Sequence, residues 1–500
     1  MATRRDQLQS YQFLLQRVVS ALVYRRTDPA ESPFRRAGGA VFAGIMISIL
    51  ALAVTALIGL FASFGKDETW WKGNFIVLEE ETGTKYVVFP SEEQATDQFP
   101  QKLYPVTNFA SAALLAGTTA TVEVSQRSLT GEGIDGEVPP RGMPVGIVGA
   151  PDSLPLPEHL LAAPLFTVCT DPTQEENAAI SLLYVGERLT SGTPMAANQA
   201  LLINEGEEVY LVSSGGYKHL IPDPELTLSA LGLASQQRAI VAPAFTKSLP
   251  SGENLEVPAV SGMGEDSGIS GAKVGQVIEN TAGGNTEYYV ALRDGAAPIS
   301  PLQAELFMGA TGQSQYLSGN AAQEASASVG ENLHMFLPDR DDEAAWRAAL
   351  PTEIPTVPDN WAASPACVGF DGDEPGIELS ASLPVNPGIE TQRLSTEGEV
   401  YADRIVVPPG RGMLVRTGGT EGAFSLIVGG QNFPIVMPTK NEEARYEIVA
   451  AKDPLSAMGY EPSHAVVMSA GLLSLVPQGA ALDPQAAIET AFANDKEPEE

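Results

Sequence analysis

From Leu8 to Leu22 the apolar residues Leu8, Tyr11, Leu15, Val18 and Leu22 recur at spacings of 3, 4, 3 and 4, with Arg4, Arg5 and Arg17 mostly off that line. This period predicts an amphipathic helix whose single stripe needs a partner, either another subunit's helix or an anionic lipid surface. Asp28-Pro29 and Ser32-Pro33 then break the helix. From Ala40 to Phe64 the chain is almost wholly apolar, and no ionisable residue stands between Arg36 and Lys66. At 1.5 Å per residue this run reaches about 37 Å, more than the roughly 30 Å hydrocarbon core, so it predicts a membrane-spanning helix. A cleaved signal sequence fits poorly, because its apolar region is about 7–15 residues long and close to the start. A buried helix of a soluble protein is disfavoured by a run that is apolar on every face.

Past the membrane the pattern changes to short apolar strands between Gly- and Pro-rich turns, and it repeats. Tyr86–Phe89, Val209–Val212, Tyr288–Leu292 and Phe424–Val428 are each followed by a proline-containing strand, at Pro105, Pro222, Pro298 and Pro434. A short helix-like stretch and a glycine come next, at Gly117, Gly232, Gly309 and Gly459, and the longer spacing in the fourth copy marks an insertion. The units close on apolar-Pro turns at Val138-Pro139, Leu249-Pro250 and Val476-Pro477, each with a glycine soon after (Gly142, Gly252, Gly479), and Leu337-Pro338 is a weak third-copy equivalent. The expected unit is strand, strand, short helix, strand.

The implied fold class is α+β. A cytoplasmic helix and linker (1–36) and a transmembrane helix (37–64) precede an elongated exterior region. That region has four small β-rich repeats (73–150, 201–262, 263–339, 401–482) around a central module assembled from 151–200 and 340–400. Repeats one and two are expected on one side of the module and three and four on the other. The polar segment 483–500 reads as an acidic disordered tail.

Charge settles the orientation this reading expects. The chain has 29 Lys+Arg against 62 Asp+Glu, a formal −33 that argues against nucleic acid as a partner. Residues 1–40 nevertheless carry about +4, and Arg25, Arg26, Arg35 and Arg36 immediately precede the apolar run. The positive-inside rule then puts the N-terminus in the cytoplasm, and Trp70 and Trp71 near the outer headgroups. Cys169 and Cys367, the chain's two cysteines, both fall in the exterior part, where an oxidising compartment allows a disulfide. Two unrelated buried thiols are the alternative.

Enzyme chemistry leaves little trace. No G-x-x-x-x-G-K-[ST] loop occurs, and Gly410-Arg411-Gly412 lacks the third glycine of a dinucleotide turn. Ser267 has neither a nucleophile elbow nor an assignable histidine. His159, His219, His334 and His464 show no metal-ligand spacing, and His219 and His464 read as surface or edge positions. No catalytic, cofactor-binding or metal residue is expected.

The block Arg5-Asp6-Gln7-Leu8-Gln9 through Phe13-Leu14, then Arg17 to Val23, Asp28-Pro29, Ser32-Pro33 and Arg35-Arg36 before a single span, resembles the EccB family of type VII (ESX) secretion systems. Tyr104-Pro105-Val106 with Asn108, Ser111-Ala112 and Leu114, the Thr167-Val168-Cys169 segment, and Val407 to Gly412 resemble it too. The resemblance implies a structural subunit of an inner-membrane secretion complex, with a periplasmic core that holds a disulfide. Around that core it implies four repeats similar to the cell-wall-binding subunit of a phage lysin. It also implies as partners other EccB copies, the EccC motor ATPase, EccD, EccE and the mycosin protease. A peptidoglycan-binding module and an exported ATP hydrolase, as described for some members, are the alternative functions.

Overall fold

The computed structural model describes residues 4–492, apart from 26–33, 64–69, 91–94, 96–99, 132–137, 176–177, 333, 339–340, 372–373, 385–387, 393, 395–397, 419–421 and 439–452. It divides into two units, 1–70 and 71–500. The first holds helices α1 (Arg4–Tyr24) and α2 (Phe34–Ser63). The Asp28-Pro29 and Ser32-Pro33 break and the fourth-copy insertion lie outside the described residues.

Among the described residues, the second unit is built on five sheets. Along the chain come β1 (Ile76–Glu79), β2 (Lys85–Phe89), β3 (Lys102–Val106) and, after helix α3 (Phe109–Ala116), β4 (Thr121–Val124). Then follow β5 (Leu165–Glu175), β6 (Ala178–Val185), β7 (Thr193–Pro194), β8 (Ala200–Glu205), β9 (Glu208–Ser213), β10 (Lys218–Leu220) and β11 (Arg238–Ile240). Next are β12 (Val277–Ala282), β13 (Asn285–Leu292), β14 (Gly295–Ile299), β15 (Ala366–Asp371), β16 (Glu374–Leu379), β17 (Ile389–Glu390) and β18 (Arg404–Val406). Last are β19 (Gly412–Thr417), β20 (Ala423–Val428), β21 (Gln431–Ile435) and β22 (Val466–Val467).

Three sheets share one order, β3-β2-β1-β4, β10-β9-β8-β11 and β21-β20-β19-β22. In each, the first three strands are antiparallel and the last pairs parallel to the first. The β12-β13-β14 sheet has three strands, and a single parallel bridge from Ile278 to Leu317 stands where the others have a fourth.

The sequence reading therefore lacks an opening strand in every unit (β1, β8, β12, β19), and its closing strand lies too late, since β4, β11 and β22 precede the apolar-Pro turns. Pro105, Pro298 and Pro434 lie on edge strands, where a missing N–H costs no ladder bond. The second copy differs: Leu220 faces Tyr210 as Pro105 faces Tyr86, so the alignment through Pro222 is two residues out of register. Gly117, Gly232 and Gly459 follow their helices at φ 68°, 69° and 81°, as a left-handed stop requires. Gly309 lies inside the helix Pro301–Thr311, and the stop is Gly312.

The seven-stranded central sheet runs β17-β18-β6-β5-β15-β16-β7, so it is assembled from two distant stretches of chain. The apolar contacts between sheets correct the expected pairing of sides. One core joins the first and fourth sheets, with Leu114 and Leu115 of α3 beside Leu414, Leu426, Leu455 and Ile488. Another joins the second to the third, where Leu202, Leu211 and Leu228 meet Leu302 and Leu306. The cause is local composition: α3 buries every residue from Ala110 to Ala116, so one face packs on its own sheet and the other needs a second body. Part of that second body is the helix Pro484–Phe492, with Ala487 and Ile488 buried, where the sequence reading had a disordered tail. Residues 493–500 lie outside the described ones.

Candidate functional site

Helix α1 forms as its period requires, but nothing among the described residues covers its stripe. Leu8, Tyr11, Leu15, Val18 and Leu22 are all exposed, Leu22 by 78%, and Phe13 and Leu14 are exposed as well. At about 25 cal/mol per Å2 such a surface favours association. Helix α2 is 30 residues, about 45 Å long. Its stretch Gly39–Ala56 has a mean hydropathy of 2.3 and is nowhere buried. Ser48 and Thr55 donate their hydroxyls to the carbonyls of Gly44 and Ala51, which hides these two polar groups from an apolar solvent.

The flanking residues divide. Arg25 follows α1 and is exposed, Arg26 lies outside the described residues, and Arg35 and Arg36 are in the first turn of α2. Trp70 and Trp71 are buried, at 3% and 5% exposure.

Cys169 of β5 and Cys367 of β15 face each other across an antiparallel pair, with Cα atoms 4.0 Å apart, and are joined as a disulfide. Both are fully buried, among Ile180, Leu182, Tyr184 and Val406. Burial, with Glu187 and Asp171 nearby, pushes the Tyr184 phenol up to about 12.

The three apolar-Pro turns share one geometry. In the first, Leu103 N donates to the Pro140 carbonyl at 2.9 Å and Gly142 N donates back to Leu103 O at 2.9 Å. Lys218 does the same with Pro250 and Gly252 (2.9 and 2.9 Å), and Asn432 with Pro477 and Gly479 (2.9 and 2.8 Å). The next residue on each strand, Tyr104, His219 or Phe433, lays its ring where a Cβ on that glycine would stand. His219 is thus fully buried, on an edge strand but not at the surface. Its Nδ1 lies 2.8 Å from the Glu253 carbonyl, and burial pushes its pKa down.

Beside this turn is a cleft of about 1130 Å3, walled by Tyr217, Gln303, Phe336, Trp346 and Leu350. Gln303 is held by Ser300 N and the Phe336 carbonyl, so it braces the wall. Asn108 caps α3 through Ser111 N and donates to the Ile147 carbonyl at 2.7 Å. Ser267 closes a local turn on Ile269, and Asp266 pairs with Lys273 at 2.6 Å. His464 Nδ1 accepts from Glu461 N. Among the described residues no group of three or more His, Cys, Asp or Glu could hold a metal.

The family model for the type VII secretion system ESX-1 transport TM domain B matches residues 1–493. The ESX-1 secretion system ATPase EccB1 of Mycolicibacterium smegmatis is 25% identical over 362 residues, 70% of this chain and 71% of that protein. The ESX-5 secretion system ATPase EccB5 of Mycobacterium tuberculosis is 28% identical over 320 residues, 61% of this chain and 59% of that protein. Two solved structures share the fold. A chain of an intact ESX-5 inner membrane complex superposes with a TM-score of 0.62 at 24% identity, covering 98% of this chain and 95% of that one. The EccB3 dimer from the ESX-3 core complex gives 0.58 at 20%, covering 83% and 99%.

Proposed function

The chain belongs to the EccB family of type VII secretion components, and from that membership we propose that it is a structural subunit of an ESX membrane complex. α2 is its single membrane span, and the unit from Trp71 onward is its periplasmic part. Arg25, Arg26, Arg35 and Arg36 support a cytoplasmic N-terminus through the positive-inside rule. The uncovered α1 stripe of Leu8, Tyr11, Leu15, Val18 and Leu22 is then the docking face for cytoplasmic segments of the other subunits, and the exterior unit assembles with its own copies. The recurring sheet order and the three matching proline turns support four copies of one small unit around the disulfide-tied central sheet.

The observation that carries the reading is an 18-residue apolar stretch with no protein over it, in a chain matched to this family almost end to end. Its test is extraction of the native complex in a mild detergent, with the co-eluting subunits identified. Elution with other ESX subunits supports the proposal, and elution alone overturns it. The relatives' names include ATPase. Hydrolysis by the purified complex, lost on a substitution in this chain, would make the subunit an enzyme as well.

A further inference from the structure

His219 occupies a slot that two other sheets fill with an aromatic ring that cannot titrate near neutral pH. Tyr104 and Phe433 cover Gly142 and Gly479, and His219 covers Gly252 in the same way. A carbonyl can only accept, so the 2.8 Å contact between Nδ1 and the Glu253 oxygen makes Nδ1 the protonated nitrogen. Nε2 is then a bare acceptor, and it has no partner among the described residues. The histidine is also a link in a chain of contacts. Gly252 N holds Lys218 O, Glu253 N holds Ala348 O at 2.9 Å, and Leu255 N holds Leu220 O at 2.8 Å. The segment 346–353 behind Ala348 walls the cleft.

We propose that His219 is a proton-responsive latch: neutral, it clamps the strap 251–255 between β10 and the cleft wall, and taking up a proton releases the strap and loosens that wall. A second N–H on Nε2 would face the core with nothing to accept it, which buried polar groups tolerate poorly. Charged groups on the surrounding elements offer little help. Lys218 on the same strand sends its Nζ to the Thr246 carbonyl, 2.9 Å away. Glu208 on β9, Glu253 and Glu256 on the strap, and Glu343, Arg347 and Glu353 beyond it are exposed. Burial lowers the pKa and the Glu253 carbonyl partly opposes it. The folded value lies below the unfolded 6.5, so the opened strap binds the proton first. Closure is complete above about pH 6.5 and is lost as pH falls below that value.

Hydrogen exchange on the full chain in detergent tests the latch, with exchange times scaled for the intrinsic pH dependence. Between pH 7.5 and 5.0 the linkage allows up to about a thirtyfold loss of protection at Lys218, Gly252 and Glu253. Gly142 and Gly479 are internal controls and keep theirs. His219→Phe or His219→Tyr abolishes the loss at the second turn. Equal losses at all three turns, a change below twofold at Gly252, or an undiminished loss in a folded His219 variant would overturn the proposal. The comparison of the three turns in the wild type stands even if a variant does not fold.

Discussion

Replacing both Cys169 and Cys367 with alanine tests how the central sheet is held. Six residue pairs from Ala366 with Thr170 to Asp371 with Leu165 keep β5 and β15 in register around the bond. The native geometry therefore does not need the sulfurs, and the stabilisation acts mainly on the unfolded chain. The bridge closes a loop across a separation of 198 residues, for which the chain-entropy relation gives about 5 kcal/mol, with about 2–4 typical of measured bridges. Against a total stability of about 5–15 kcal/mol this is a large share. Trp361, 3% exposed and packed in the core with Phe166 and Val168, is a built-in fluorescence reporter. Urea unfolding of the detergent-solubilised chain should show the double variant losing about 3–5 kcal/mol, with its native far-UV dichroism and tryptophan emission unchanged. A loss under about 1 kcal/mol would refute the loop-closure reasoning, and an altered native spectrum would show that the bond shapes the sheet.

Gly479→Ala drives a methyl into the Phe433 ring and should cost about 1–3 kcal/mol in the same unfolding assay, with Phe433→Leu in the same chain recovering part of it. Asn108→Ala removes both the cap of α3 and the bond to Ile147, for an expected loss of about 1–3 kcal/mol. Asn108→Asp keeps the cap acceptor and should lose less. Leu15→Asp on the exposed stripe of α1 should leave the chain in the membrane fraction and its unfolding midpoint unchanged while reducing co-purification of other subunits. Unchanged co-purification would remove α1 as a docking face.

What was legible in the sequence follows from the range of the forces involved. α2 could be read because the run from Ala40 to Phe64 is almost wholly apolar and carries no ionisable side chain. The middle strands could be read because burial gives them runs such as Val290 to Leu292. The edge strand of the second sheet could not be aligned through proline, because there the position opposite Tyr210 holds Leu220. That shift concealed His219, whose burial depends on Gly252, 33 residues away. The helix Pro484–Phe492 has only alanines, one isoleucine and a terminal phenylalanine to signal it, and packing on α3 is what orders it. Which sheets share a core is decided by packing such as that of α3 on the helix Pro454–Ala457, about which local pattern is silent.

The central sheet draws β5 and β6 from one stretch of chain and β15 from another nearly 200 residues later. A polypeptide delivered N-terminus first therefore presents one long edge of β5 with no strand beside it until β15 arrives. The second and third sheets, encoded in the interval, must emerge and find each other while that edge waits. Closure of the sulfur bridge thus records that the second and third sheets have already been delivered, with the fourth sheet, which completes the core of the first, still to follow.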